Sequence, residues 1–346
     1  MEEVPAPQPK RPSAWGRIIV ALLLALVFAG GVYLLVGRYD RATQQPRAEL
    51  IGIGFLIVLP LATGALATFI SDPLGEHPRR AWQVPLWLML AVIVASAIVL
   101  REGTICILML TPFWLTSAMA GGWLTYRLRK LFPGGRSYSA SLLAAPLLVL
   151  QIEPLIPIPE TRHEVERSVI VAASAQRLWP LVEGVGAVRA DEGIWTVSHD
   201  LIGLPRPRQA RLDGGGFGAT RWAVWGEKRD IVFREMIDHW SPGSGIGWRF
   251  AFDDLRGWES TDRHLMPDGP YYRIERGGYR LEPLGDGRTR VTLTTRYSMR
   301  THFTAYAALW GELFLGDIEN NVLAIIRERA ERGGKAPTLP SPSPGA

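Results

Sequence analysis

The chain has 346 residues, room for two domains, and a formal net charge of +5 from 38 Lys and Arg against 33 Asp and Glu. No block of Lys and Arg interleaved with aromatic residues tracks a phosphate backbone, so the basic balance does not point to nucleic acid. The single cysteine, Cys106, excludes a disulfide framework within the chain.

Apolar residues are unevenly spread. Residues 18–158 are strongly apolar, whereas 159–335 have the composition of a soluble domain. Residues 1–14 are Pro-rich and polar, and are expected to be disordered. An apolar run then covers 18–37, flanked by Trp15 and Arg17, and about 20 such residues suffice to cross a bilayer. Further spans are expected over 50–70, 84–100 and 105–126, which makes 15–158 a membrane region. Ser117, Ala118, Ala120, Gly121 and Gly122 suit close helix packing in the fourth. A fifth segment, 138–157, is long enough to cross but carries Pro146, Gln151, Glu153, Pro154 and Pro157. Four or five crossings therefore stay open.

With the N-terminus in the cytoplasm, nine basic residues lie inside: Lys10, Arg11, Arg17, Arg79, Arg80, Arg127, Arg129, Lys130 and Arg136. Four lie outside: Arg38, Arg41, Arg47 and Arg101. That bias supports the N-in orientation in a cell membrane. Five crossings then put the C-terminal domain outside the cytoplasm, and four leave it inside.

The soluble domain is expected over 159–332. Residues 165–172 alternate as a strand, and Ser174 can cap a short helix through Trp179 and Val182. Strands follow at 194–197, 209–212, 219–225, 230–237, 247–252, 272–281 and 289–297. Gly285-Asp286-Gly287 is a hairpin signal between the last two. The long segment 303–332 is helical, with an apolar stripe of Tyr306, Leu309, Trp310, Leu313, Phe314, Ile318, Val322, Ile325 and Ile326. Glu312, Asp317, Glu319, Arg327, Glu328 and Arg329 take its opposite face. Residues 333–346 are Pro/Ser-rich and expected to be disordered. Strand, helix, several antiparallel strands and one long helix make an α+β pattern.

Asp213-Gly214-Gly215-Gly216-Phe217-Gly218 has the glycine content of a phosphate loop, but a strand follows it where a helix would be needed, so it is a hairpin. The six histidines show no zinc-ligand spacing, and neither HExxH nor GxSxG occurs. No metal and no cofactor is expected. What stands out is the mixing of aromatic and charged residues along the strands. Neighbours on a strand face opposite sides, so Trp248, Phe250 and Phe252 share one face, and Arg221, Ala223 and Trp225 share another. Such a surface is either a solid aromatic core or an apolar cavity with a few polar groups that orient a ligand. The cavity candidates are Arg221, Glu235, Trp248, Phe250, Tyr279, Arg296, Tyr306, Trp310 and Leu313.

Three features resemble the START-like helix-grip superfamily (SRPBCC, polyketide cyclase/dehydrase-like). They are the opening strand and helix from Val165 to Trp179, the late hairpin carrying Gly278-Tyr279-Arg280-Leu281-Glu282-Pro283 and Gly287 to Leu293, and the long C-terminal helix with Leu309-Trp310-Gly311. The stretches 203–207, 216–221 and 262–265 are similar to a bacterial subgroup that fuses this domain to membrane helices. The resemblance covers about half the chain. It implies a curved antiparallel sheet gripping a long helix around a hydrophobic cavity. Superfamily members bind lipids, sterols, polyketides or hydrophobic hormones, and a minority catalyse cyclisation, dehydration or ring hydroxylation. The hydroxylase branch needs a His and carboxylate iron site, which is not visible in this sequence.

The leading expectation is a membrane-anchored, non-enzymatic binder of a hydrophobic small molecule or lipid, with the bilayer as its other partner. The first alternative is an enzyme acting on an apolar, polyketide-like substrate, with Glu235, Arg221, Tyr279 and Arg296 as acid/base groups. The second is a structural or sensory membrane protein whose grip domain is packed solid and contacts another protein.

Overall fold

Period-two burial runs through most of the strands between residues 160 and 300, and it closes them into one sheet. The computed structural model describes residues 14–43, 52–100, 104–132, 138–226, 231–254, 256–259 and 265–332. The expected tails at 1–14 and 333–346 fall almost wholly outside the described residues, as do 262–264 of the resemblance. The chain forms two compact units, one of Met1–Glu102 with Ile107–Pro157, the other of Ile158–Ala346 with Gly103–Cys106.

The first unit contains α1 (Ala14–Thr43), α2 (Leu59–Ser71), α3 (Arg80–Ala95), α4 (Thr104–Leu131) and α5 (Tyr138–Ile152). Among the described residues four stretches are long and apolar enough to cross a membrane: Trp15–Val32, Gly54–Ser71, Arg80–Ile98 and Thr104–Leu131. The small residues of α4 do what their size suggests. A Cβ on Gly121 would overlap the Leu61 carbonyl, and one on Gly122 the Ala81 carbonyl, so these backbones touch. α2 and α4 run in the same direction, since Thr125 bonds the Ala65 carbonyl at 3.3 Å and Arg129 the Phe69 carbonyl at 3.0 Å. α5 starts from the far end of α4 and finishes where the α2 segment begins. There the buried Glu153 carboxylate accepts from Ile53 N–H and from Gly54 N–H at 2.9 Å. A carboxylate at a helix start satisfies amides that have no partner inside the helix.

The second unit is a seven-stranded antiparallel sheet around one long helix. β1 (Glu160–Val171) leads into α6 (Ala175–Glu183). β2 (Pro207–Asp213), β3 (Thr220–Trp225), β4 (Ile231–Ser241) and β5 (Gly245–Ala251) follow. A short α7 (Arg256–Glu259) precedes β6 (Tyr272–Gly285) and β7 (Arg288–Arg300), and α8 (Thr304–Arg332) ends the unit. The strand order is β1-β7-β6-β5-β4-β3-β2, so the first strand pairs with the last and the helix lies in the curve. This is the helix-grip arrangement that the sequence resemblance implies. Asp286 sits at φ 53° between two left-handed glycines, which makes the tight β6–β7 hairpin. The glycine-rich 214–218 stretch joins β2 to β3 as a hairpin connection.

Two local expectations are corrected. Residues 194–197 are not a strand. Thr196 caps a helical turn over Val197–Ile202, and the amides of Ile194 and Ser198 are taken by Asn321 and Asp317 of α8, at 3.0 and 2.8 Å. The packed stripe of α8 is also rotated from the expected one. It runs through Gly311, Leu315, Glu319, Leu323, Ile326 and Ala330, while Leu309 is 69% exposed. Small residues let the helix approach the sheet, and a Cβ on Gly311 would overlap the Tyr297 hydroxyl.

Candidate functional site

The sheet's inner face is apolar at its centre, where Ile237, Ile246, Leu281, Val291 and Leu293 meet Leu323 and Ile326 of α8. Arg221, Glu235, Trp248, Tyr279 and Glu319 set polar groups into this interior, and they define the candidate site.

Arg221 on β3 and Glu235 on β4 are register partners, so their side chains meet on the inner face. Arg221 is 3% exposed and forms an ion pair with Glu235. Its other arm donates to the Val182 carbonyl of α6 at 2.7 Å. Its guanidinium lies 4.0 Å from the Trp248 ring centroid and 5.6 Å from that of Tyr279. Burial works against the Arg221 charge, but the Glu235 carboxylate and Tyr279 outweigh it and hold the pKa above its usual value. Breaking one partner of such a buried pair costs about 3–5 kcal/mol. Burial likewise pushes the Tyr279 phenol up to about 12, partly opposed by Arg221.

Across the same interior lies Glu319 of α8, 1% exposed. Among the described residues neither carboxyl oxygen has a partner in hydrogen-bonding geometry. Burial raises its pKa to about 8, with the Thr295 hydroxyl and the Arg167 charge offsetting part of the shift. Trp248 Nε1 is likewise buried without an acceptor among the described residues. Thr295 on β7, Gly277 on β6 and Trp248 on β5 are successive register partners. The indole lies flat over Gly277, where a Cβ would stand 2.7 Å from the ring. An indole N–H and a carboxyl, both unpartnered, therefore face one interior roughly a strand spacing or two apart, at about 4.8 Å per strand.

From Trp248 an aromatic lane runs along β5. Phe250 is 6.1 Å from Trp248, Phe252 stacks on Phe250 at 6.0 Å, and Phe233, Trp225 and Trp258 close the far end.

Of the residues expected at the site, Arg221, Glu235, Trp248, Phe250 and Tyr279 come together. Arg296 does not. It is exposed on the outer face, paired with Glu164, because the adjacent Tyr297 takes the inward position on β7. Tyr306 and Trp310 join Phe314 in a ring ladder along a flank of α8, and the Leu313 carbonyl lies by the Ser198 hydroxyl. None of these three joins the buried polar group. Glu319 was expected on the solvent side of α8, yet it stands in the row of Gly311, Leu315 and Leu323, spaced by four. That spacing was the signal. Asp317 and Arg329 are not free on that side either. Asp317 takes the Ser198 hydroxyl at 2.6 Å, and Arg329 binds Glu192 at 2.7 Å. The hydrogen bond from Arg329 pulls Glu192 down to about 2 despite its burial.

No protein-family model matches the chain, and no curated protein matches it in sequence. Solved structures similar to it include an aromatase/cyclase from Streptomyces sp. R1128, at 17% identity over 51% of this chain and 98% of that one, TM-score 0.32. A truncated norcoclaurine synthase from Thalictrum flavum is similar at 11% identity over 52% and 99%, TM-score 0.31. A polyketide-cyclase-like protein from Corynebacterium glutamicum is similar at 17% identity over 51% and 95%, TM-score 0.26.

Proposed function

We propose that the grip domain binds a hydrophobic small molecule or lipid bearing a polar acceptor, and that the apolar helices hold it at a bilayer. The observation that carries this reading is that Glu319 of α8 and the Trp248 N–H of β5 are both buried without a hydrogen-bond partner among the described residues. Each such unmet group costs about 1–3 kcal/mol, so a core that keeps both is poised for a guest. Below its raised pKa the Glu319 carboxyl is protonated and donates, as does the indole. Two donors suit a carbonyl or ether oxygen, and the aromatic lane suits a flat apolar body. A bilayer anchor would keep the domain where such molecules concentrate.

A matched pair of probes tests this on the full chain in neutral detergent. Fluorenone is expected to quench tryptophan fluorescence saturably, fluorene more weakly, and Glu319→Ala is expected to remove the difference. Equal behaviour of the two probes, or no saturation with either, rejects the reading.

A second reading is favoured by the same carboxyl. A group titrating near 8 is suited to hand over or take up a proton, as a general acid or base does. Conversion of a bound ligand that is lost in Glu319→Gln, with binding retained, would make the protein an enzyme.

The course of α5 supports five crossings. It spans the distance between the end of α4 and the start of the α2 segment, fixed there by Glu153. Together with the charge bias, this supports a cytoplasmic N-terminus and a grip domain on the other side of the bilayer. A C-terminal epitope should then be reachable only from the non-cytoplasmic side of sealed vesicles. Access from the cytoplasmic side alone would mean four crossings.

A further inference from the structure

The end of the membrane unit where α3 begins and α4 finishes holds a cleft that the ligand site does not use. At Gly122 the two helices touch, with Ala81 of α3 against the α4 backbone. One turn further along α4, a cleft of about 380 Å³ lies between Ala81 and Trp82 on one side and Trp123, Tyr126, Arg127 and Lys130 on the other. Arg127 lies 5.1 Å over the Trp123 ring and Lys130 4.6 Å over the Tyr126 ring, each one turn from its aromatic partner. The cations are thus held on the wall of the cleft by the rings beside them.

Several arginines of the chain pair with carboxylates instead. In the soluble unit Arg234 meets Asp253, Arg276 meets Asp238 and Arg296 meets Glu164. Arg129, between the two cleft cations, is committed to the carbonyls of Phe69 and Asp72. The Asp72 carboxylate already accepts from the amides of Glu76 and His77, at 3.3 and 2.9 Å. Among the described residues neither Arg127 nor Lys130 has a carboxylate partner. Trp82 and Trp123, 46% and 55% exposed, flank the opening as indoles do at headgroup level.

We propose that this cleft binds the headgroup phosphate of an anionic phospholipid, with Arg127 and Lys130 on the phosphate and the Trp82 and Trp123 rings against the glycerol and first methylenes. Unpaired cations supply the charge complement, and the aromatic walls favour a lipid over a free phosphate. The proposal rests on the reading that these helices lie in a bilayer. It is independent of any ligand in the grip domain.

The test uses the full chain released from nanodiscs of phosphatidylcholine with a minor share of phosphatidylglycerol, with retained lipid counted by native mass spectrometry. Phosphatidylglycerol is expected to be retained in excess of its share. Arg127→Gln with Lys130→Gln should cut that excess by about tenfold or more, from about 1 kcal/mol per basic residue. Arg234→Gln with Arg296→Gln removes the same charge elsewhere and should leave retention unchanged. Retention of phosphatidylglycerol at its bulk share, equal retention by the cleft variant, or equal loss in the control overturns the proposal. So does displacement of the lipid by soluble glycerol phosphate, which would make the site one for a free anion. If the chain is washed off membranes by alkaline carbonate, the bilayer reading itself fails, and this proposal with it.

Discussion

Glu235 and Glu319 are both closed off from solvent, at 6% and 1% exposure, one on β4 and the other on α8. Glu235 has the Arg221 guanidinium, itself tied to α6 and stacked on Trp248. Among the described residues Glu319 has no donor in hydrogen-bonding geometry on either oxygen. The first carboxylate is paired where it is buried, so its charge is compensated inside the fold and its role is to fix β3, β4 and α6 together. The second costs stability, and the Thr295 hydroxyl and the Arg167 charge offset only part of that cost. Selection for stability alone would replace it with an apolar residue of similar size, so Glu319 is the residue on which the proposed ligand reading rests.

The largest effect is expected from breaking the pair. Arg221→Met leaves Glu235 buried and uncompensated and should lower stability by about 3–5 kcal/mol, read from denaturant unfolding of the full chain in detergent. Arg221→Met with Glu235→Leu should recover most of that loss. Failure of the double variant to recover would mean that Arg221 does more than neutralise its partner.

A smaller effect with a definite sign is expected at Glu319. Its folded pKa of about 8 lies above the ordinary carboxylate value, so the folded state holds this proton more tightly than the unfolded chain does. Its contribution is fully present below about pH 4.5, falls as pH rises, and is lost above about 8. Glu319→Gln should therefore flatten the decline in melting temperature between pH 6 and about 9. An unchanged decline would place the titration elsewhere.

The smallest effect belongs to Arg296, exposed with Glu164 on the outer face. Arg296→Ala should change stability by about 1 kcal/mol or less and leave probe binding intact. A loss of binding would return it to the site.

The grip fold was legible because period-two alternation survives in β3 to β7, and parity alone put Arg221 with Ala223 and Trp248 with Phe250. Parity failed to choose between Arg296 and Tyr297, since only one of two neighbours can face in and both types were plausible there. It also cannot anticipate the shift between Ile274 and Arg276, where a bulge moves the inward set from Tyr272 and Ile274 to Gly277, Tyr279 and Leu281. A helical stripe through the largest apolar side chains of α8 leaves Glu319 on the wrong side. The face that meets the sheet is instead built on Gly311 and Gly316, whose lack of a side chain brings α8 close. The turn at Val197–Ile202 was out of reach, since its amides are satisfied by residues more than a hundred positions away.

The most direct measurement is native mass spectrometry of the full chain from neutral detergent, before and after organic extraction, with Glu319→Leu run alongside. The account predicts an apolar adduct on the wild-type chain that extraction removes and that the variant carries in smaller amount. A bare wild-type chain from the start, or an adduct held equally by the variant, would contradict it.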